Sequence, residues 1–337
     1  MKKVVDLHFD TGSHVPKYRR IIDSIHQLVR DGVLIKGDRL PSLNDLCKKF
    51  NLSQDTVLMA YNELKTRGII TSSVGKGYYI SNVTIDSNHK VFLLFDKLTT
   101  YKETLYESFK ETLKGKGNEQ IFFHYNNPKV FQNLIESAVG EYSEYVVMPL
   151  LDKSALSALD LLPKNKVFLL DMGRNLFRHK YPHVCQDFER DIYQILKNVY
   201  ADIEKYKRIV LVIRHLKRHY KEIMVGVRDF CKQQPIGFDL VTDTSAFEVN
   251  QGDLFVVVDD RDLVFLVKQA QQKNLVLGID VGILSYNETP LKEIIAGGIT
   301  TVSTDFGQMG QSMANMVLSG KKEGIDNPFI LTRRNSF

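Results

Sequence analysis

The chain has 337 residues, 43% of them hydrophobic, which is enough to bury a sizeable core and points to two or three domains rather than one. No run of about 18 apolar residues occurs, and the opening MKKVVDLHFDTG turns acidic where a signal peptide would stay apolar, so neither a membrane span nor secretion is expected and a cytoplasmic location is. Residues 1–80 carry 13 Lys and Arg against 8 Asp and Glu, an excess equal to the whole chain's +5, so a polyanion would meet that quarter first.

From Pro16 to Arg30 the apolar residues Ile21, Ile22, Ile25, Leu28 and Val29 recur at spacings of three and four, the stripe of an amphipathic helix that Gly32 ends. After the turn KGDRLP, Ser42 and Asp45 form an S-x-x-D start signal, with Leu46 and Phe50 on the apolar side of a short second helix and Asn51 as its terminator. Ser53 caps a third helix whose Val57, Ala60, Tyr61 and Leu64 face a core and whose end is Gly68. The period then changes: Ile69-Ile70-Thr71 and Tyr78-Tyr79-Ile80 flank SSVGKG and read as a β-hairpin.

The polar stretch SNVTIDSNHK, residues 81–90, reads as a linker between residues 1–80 and a second region, 91–337. There, short apolar runs such as VFLLF, YVVMPL, KVFLLD, IVLVI and LFVVV alternate with amphipathic stretches at Leu105–Leu113, Asp187–Val199 and Leu263–Gln272. That alternation predicts α/β units around parallel sheets. Cys47, Cys185 and Cys231 are odd in number, far apart and without CxxC spacing, which points to neither a disulfide framework nor a zinc site.

Two helices, a turn, a third helix and a hairpin in a basic segment set the third helix in a major groove. From Pro16 to Ile80 the sequence resembles the GntR family, through GDRLPS at 37–42, LSQDTVLMAYNELKTRGII at 52–70 and VGKGYYI at 74–80. The resemblance implies a winged helix-turn-helix that binds double-stranded operator DNA, and it nominates Arg39, Ser42, Asn44, Ser53, Gln54, Asp55, Thr56 and Lys76 as contacts. Gly75 and Gly77 would let the wing backbone come close. Hydroxyls and N–H groups at helix starts suit phosphates, and Gln54 suits an adenine edge. Asn44, Gln54 and Leu58 stand where the family often has arginine, which implies a different operator sequence. The bland alternative is that Ser42 and Ser53 only cap helices and the lysines form a solvated face.

Residues 90–332 resemble the LacI-type effector domain, two α/β lobes akin to periplasmic sugar-binding proteins. Four passages carry this resemblance: 91–113, 252–279, SYNETPLKEII at 285–295, and ITTVSTDFGQMGQSMANMVL at 299–318. It implies an α/β fold with a winged helix-turn-helix plus a two-lobed α/β/α domain, like arabinose-responsive repressors that join the same two parts. It also implies a small-molecule effector, a monosaccharide; a homodimer is expected because one small head makes few phosphate contacts, and no cofactor or metal is expected. Asp96, Thr100, Lys102, Tyr106, Asp187, Lys217, His219, Asp259, Asn287 and Phe306 are nominated for the effector. Ile223 stands where many relatives have an arginine three residues before the helical Gly226, and Asn287 stands where an aspartate is usual.

Bland readings stand beside these. Asp259 and Asp260 would cap a helix, Phe306 would be core, and VIRHLKRHYKE at 212–222 would be a solvated charge run, though a phosphorylated ligand could use it. His215 and His219 have i,i+4 metal spacing but no evident third ligand. The expected function is a repressor of a carbohydrate catabolic operon controlled by a sugar. The alternatives are an enzyme with a regulatory DNA-binding head, against which the absence of a GxxxxGK[ST] loop counts, or a regulator with a phosphorylated ligand or none.

Overall fold

The computed structural model describes residues 16–337 apart from 67, 74, 82–88, 153, 178–179, 215–217 and 244–246. Three helices, α1 (Lys17–Arg30), α2 (Leu43–Phe50) and α3 (Gln54–Thr66), precede an antiparallel hairpin of β1 (Ile70–Ser73) and β2 (Gly77–Ile80), with Ile70 opposite Ile80. The apolar stripes read from the sequence close on one another, since Ile21, Ile25, Leu46, Val57, Tyr61 and Leu64 share one buried cluster. Ser42 and Asp45 cap α2 reciprocally: the Asp45 N–H donates to the Ser42 hydroxyl at 3.2 Å, and the Ser42 N–H donates to the Asp45 carboxylate at 3.1 Å. Asn51 closes that helix in the left-handed region at φ 50°, which a short polar side chain tolerates.

The chain then alternates strand and helix: β3 (His89–Phe95), α4 (Thr100–Leu113), β4 (Gly117–Phe123), α5 (Pro128–Ala138), β5 (Glu144–Val147), α6 (Ser154–Leu159), β6 (Val167–Asp171), α7 (Arg174–Phe177) and β7 (His183–Cys185). It continues through α8 (Phe188–Asn198), α9 (Tyr200–Ile203), β8 (Arg208–Val212), α10 (Arg218–Gln233), β9 (Gly237–Val241), β10 (Asp253–Val257), α11 (Asp260–Gln272) and β11 (Gly282–Tyr286). The last elements are α12 (Leu291–Ile294), β12 (Thr300–Thr304), α13 (Phe306–Ser319), β13 (Gly324–Asp326) and β14 (Phe329–Thr332). Two six-stranded sheets result, in the orders β13-β7-β6-β5-β3-β4 and β14-β12-β11-β10-β8-β9. Their described pairings are parallel except β12 with β14. Every residue of β5, β6, β10, β11 and β12 is buried, as expected for strands covered on both faces.

The chain divides into two compact units: Met1–Phe95 with Leu113–Val147 and Asp152–Phe168, and Asp96–Thr112 with Met148–Leu151 and Leu169–Phe337. In the first unit the polar side of α1 lies on the strand-and-helix layer that follows the head. Arg19 donates to both Glu141 oxygens at 3.0 Å, and one turn further along α1 Asp23 accepts from Lys166 at 2.9 Å. In the second unit helices meet at glycines. A Cβ on Gly310 of α13 would fall 2.2 Å from the Leu105 carbonyl oxygen of α4, and one on Gly226 of α10 would fall 2.3 Å from that of Glu189 in α8. Ile223, three residues before Gly226, is buried in the core cluster that includes Ile192 and Val227.

Candidate DNA interface and effector site

On the head, the nominated residues gather at the starts of α2 and α3 and on the wing. Arg39, Ser42, Asn44, Ser53, Gln54, Asp55, Gly75 and Lys76 are exposed, and Thr56 and Gly77 are half-buried. The Ser53 hydroxyl accepts from the Thr56 N–H at 3.3 Å and shares a 2.7 Å hydrogen bond with its hydroxyl, so both serines cap helices while remaining open to a phosphate. Hydrogen bonds from the Ser42 hydroxyl and N–H hold the Asp45 carboxyl below its usual range. Gly75 and Gly77 both take positive φ, at 71° and 106°. The Arg39 guanidinium lies along the wing, since its Nε is 3.3 Å from where a Gly77 Cβ would sit, and residue 39 bridges to Tyr79. The Tyr79 hydroxyl donates to the Lys76 carbonyl at 3.0 Å and so pins the wing tip. This role of Tyr79 was not read from the sequence, where it served only as a strand former.

In the second unit, Asp96 at the end of β3 and Lys102 on α4 form the base of a buried network. The Lys102 ammonium donates to Asp96, lies 3.2 Å from Asp171 at the end of β6, and approaches the Met148 sulfur at 3.6 Å. The side chains of Lys102 and Asp171 are 4% and 3% exposed. Burial alone would lower the Lys102 pKa, but Asp171 and Asp96 outweigh it and hold the ammonium above its ordinary value. Gln186 donates to Asp171 in turn. The Tyr101 ring lies 4.8 Å from that of Phe306, which is nearly buried at the start of α13. On α10, burial pushes the Tyr220 hydroxyl up to about 12.

Other nominees are placed differently. Asp187 caps α8, accepting from the Arg190 N–H at 3.3 Å, and it also accepts from the Arg174 guanidinium. Asp259 caps α11 through the Arg261 N–H at 2.9 Å, while Asp260 pairs with buried Lys292 at 3.0 Å. Asn287 takes φ 63° and its carbonyl accepts from Lys292 at 2.7 Å. Thr100 is exposed at the start of α4, and the Tyr106 ring takes the Lys110 ammonium at 5.7 Å. His219 lies on α10, and Lys217 and His215 lie outside the described residues. Tyr101, Asp171, Arg174 and Tyr220 were not singled out from the sequence. Asp171 had a usable signal, since it ends its strand run, KVFLLD, as Asp96 follows directly on VFLLF.

Beside Asp187 a cavity of about 550 Å³ is walled by Arg174, Glu189, Arg190, Tyr193 and Asp229 among others. Its size suits a small molecule. Among the described residues no group of three His, Cys, Asp or Glu is placed to hold a metal ion, and no helix is long and apolar enough to cross a membrane.

Comparison with known proteins agrees with both halves. Residues 17–80 match the family model of bacterial regulatory proteins, gntR family. The HTH-type transcriptional repressor YtrA of Bacillus subtilis is 36% identical over 99 residues, 29% of this chain and 72% of YtrA. A LacI family transcriptional regulator from Silicibacter pomeroyi superposes with a TM-score of 0.62 at 14% identity, covering 73% of this chain and 98% of that one. The lac repressor dimer bound to operator and the anti-inducer ONPF gives 0.58 at 14% identity, covering 74% and 94%. These neighbours are transcription regulators, and at such identities they establish the fold. The chain belongs to the GntR family of bacterial regulatory proteins and joins its winged helix-turn-helix head to a domain with the LacI-type effector fold.

Proposed function

We propose that this protein is a cytoplasmic repressor of a carbohydrate catabolic operon, binding operator DNA as a homodimer under the control of a monosaccharide held in the second unit. In this reading residues 1–80 are the head, 81–90 the connector and 91–337 the sensing domain. The observation that carries it is the placement of the Asp96–Lys102 pair beside Tyr101, whose ring meets that of Phe306. Paired charges and a phenol serve sugar hydroxyls, and aromatic rings serve the sugar's C–H faces. Asp187, Asp259, Asn287, His219 and Lys217 remain candidate contacts.

A homodimer is supported by the size of the head, since one small head makes few phosphate contacts and two-fold pairing doubles them.

The test is a pair of operator titrations, with and without a sugar that raises the melting temperature of the full chain. Saturating sugar should change operator affinity by about 5- to 150-fold. Asp259→Ala and Asn287→Ala should lose that response while binding operator normally without sugar. Equal operator affinity with and without saturating sugar would overturn the reading, and light scattering that finds a monomer on operator DNA would remove the dimer.

A further inference from the structure

We propose that Arg174, together with Asp187, is the hydroxyl-reading pair of the sensing part, and that the effector is an uncharged polyhydroxylated molecule and not a phosphorylated one. This rests on the reading that the second unit holds a small-molecule effector, and it adds the residue and the chemical class.

The first observation is how Arg174 is placed. Two of the three residues before it have left-handed backbone, Asp171 at φ 68° and Gly173 at φ 95°. A Cβ on Gly173 would sit 2.8 Å from the Pro149 ring and 2.9 Å from the Phe177 ring, so only glycine lets this loop in so close. Strain of this kind persists where the surroundings over-determine it, and it gathers at ligand sites. The same loop holds Lys102 through Asp171, so one four-residue stretch orients both the buried network and Arg174.

The second observation is what Arg174 has left to offer. Its Nη1 donates to Asp187, its Nη2 donates to Asp326 at 3.3 Å, and its Nε lies 2.7 Å from the other Asp326 oxygen. A guanidinium has five N–H donors and three of them meet partners among the described residues, so two remain toward the cavity of about 550 Å³ that Arg174 walls. Asp187 likewise keeps acceptor capacity after its bonds to Arg174 and to the Arg190 N–H, with the Arg190 Nε 3.7 Å away. A fixed donor beside a fixed acceptor matches a hydroxyl, which accepts from one and donates to the other, and two adjacent hydroxyls match the pair. Ile223 supplies no charge, being buried in the core.

The third observation is the sign of the surroundings. Among the described residues, Arg174 and Arg190 face Asp187, Asp191 and Asp326 in one ion cluster, Glu189 adds a carboxylate to the cavity wall, and Asp229 on that wall is itself paired with Lys232 at 2.9 Å and with Arg228 at 3.8 Å. These groups leave an excess of one carboxylate, which disfavours a phosphate or carboxylate ligand. An ammonium would suit the excess, but it has no lone pair for the Arg174 donors. A neutral polyol satisfies both.

The experiment is calorimetric titration of the full chain with L-arabinose, D-xylose, L-rhamnose, D-glucose, glucosamine and glucose 6-phosphate, on wild type, Arg174→Gln, Arg174→Lys and Asn175→Ala. The expected result is that at least one neutral sugar binds wild type and that both Arg174 variants bind it at least about tenfold more weakly, from loss of charged hydrogen bonds. Asn175→Ala, which alters the cavity wall outside the ion pairs, should weaken binding less, and glucose 6-phosphate should bind at least about tenfold more weakly than any neutral sugar that binds. Arg174→Lys keeps the charge and decides the matter if Arg174→Gln does not fold. A sugar that binds both variants as it binds wild type overturns this inference alone, as does tighter binding of glucose 6-phosphate or glucosamine than of the neutral sugars. Binding of none of the six to wild type overturns the sugar reading as well.

Discussion

Arg39, Asn44, Gln54 and Lys76 stand exposed on the head, whereas Lys102, Asp171, Asp187 and Lys292 of the second unit are buried and paired. The difference fits the partner proposed for each region. DNA brings a dense line of charge and sheds counterions on binding, so the protein's cations need not be fixed beforehand. A small neutral ligand brings a few weak dipoles, and only groups already held in place repay the entropy of binding it. The head therefore keeps its polar groups in water, and the second unit holds its own in ion pairs under cover.

The comparison is broken most directly at Lys102. Lys102→Ala leaves Asp96 and Asp171 buried without their cation, and urea unfolding should show a loss of about 3–5 kcal/mol. A melt indistinguishable from wild type would mean that water reaches those carboxylates and that the network is not buried in solution. At Gln54 the expected effect falls on specificity: Gln54→Ala should change which base is preferred, by about 1–3 kcal/mol at one position, in competition against randomised operators. An unchanged preference would remove Gln54 from the base edges.

Ser42 sharpens the comparison, because it has a structural and a binding role to be told apart. Ser42→Ala should cost about 1 kcal/mol in lost capping. Ser42→Asp keeps a good cap but brings a negative charge to the phosphate side, so stability should hold while operator affinity falls. Operator binding equal to wild type would leave Ser42 as a cap alone. The smallest stability effect is expected at exposed Lys76. Lys76→Ala should stay within about 0.5 kcal/mol of wild type in stability, weaken all duplexes alike, and lower the slope of log affinity against log salt by about one.

The head was legible almost residue by residue because its signals are local: a 3.6-residue stripe, a capping pair at Ser42 and Asp45, terminators at Asn51 and Gly68. The α/β character of the rest was legible for a similar reason, since buried parallel strands read as short apolar runs. What escaped was what tertiary approach creates. β13 and β14 are short strands at the end of the chain that no apolar run announced, yet Asp326 of β13 supplies the carboxylate between Arg174 and Arg190. Arg174 itself sits on a four-residue helix whose position depends on a backbone turn at Asp171 and Gly173 that no spacing rule reveals. Ile223 was noticed as a departure, but its destination in the core could be seen only once α8 and α10 were packed at Gly226.

The anchoring of α1 bears on how the head meets DNA in time. Arg19 and Asp23 spend their charges on Glu141 and Lys166, one of each sign, so the excess of residues 1–80 is unchanged in size while α1 no longer presents bare charge on that side. Among the described residues the positive field is thereby weighted toward the approach to α2, its last turn and the wing, where Arg39, Lys48, Lys49 and Lys76 lie. A molecule so polarised feels a torque as well as a pull from a duplex, and turns its reading face inward before touching it. Exchanging the charges of the anchoring pairs would leave net charge the same and alter that torque, so its signature is an association rate that shifts at low salt and converges with wild type once the Debye length shrinks below the width of the head.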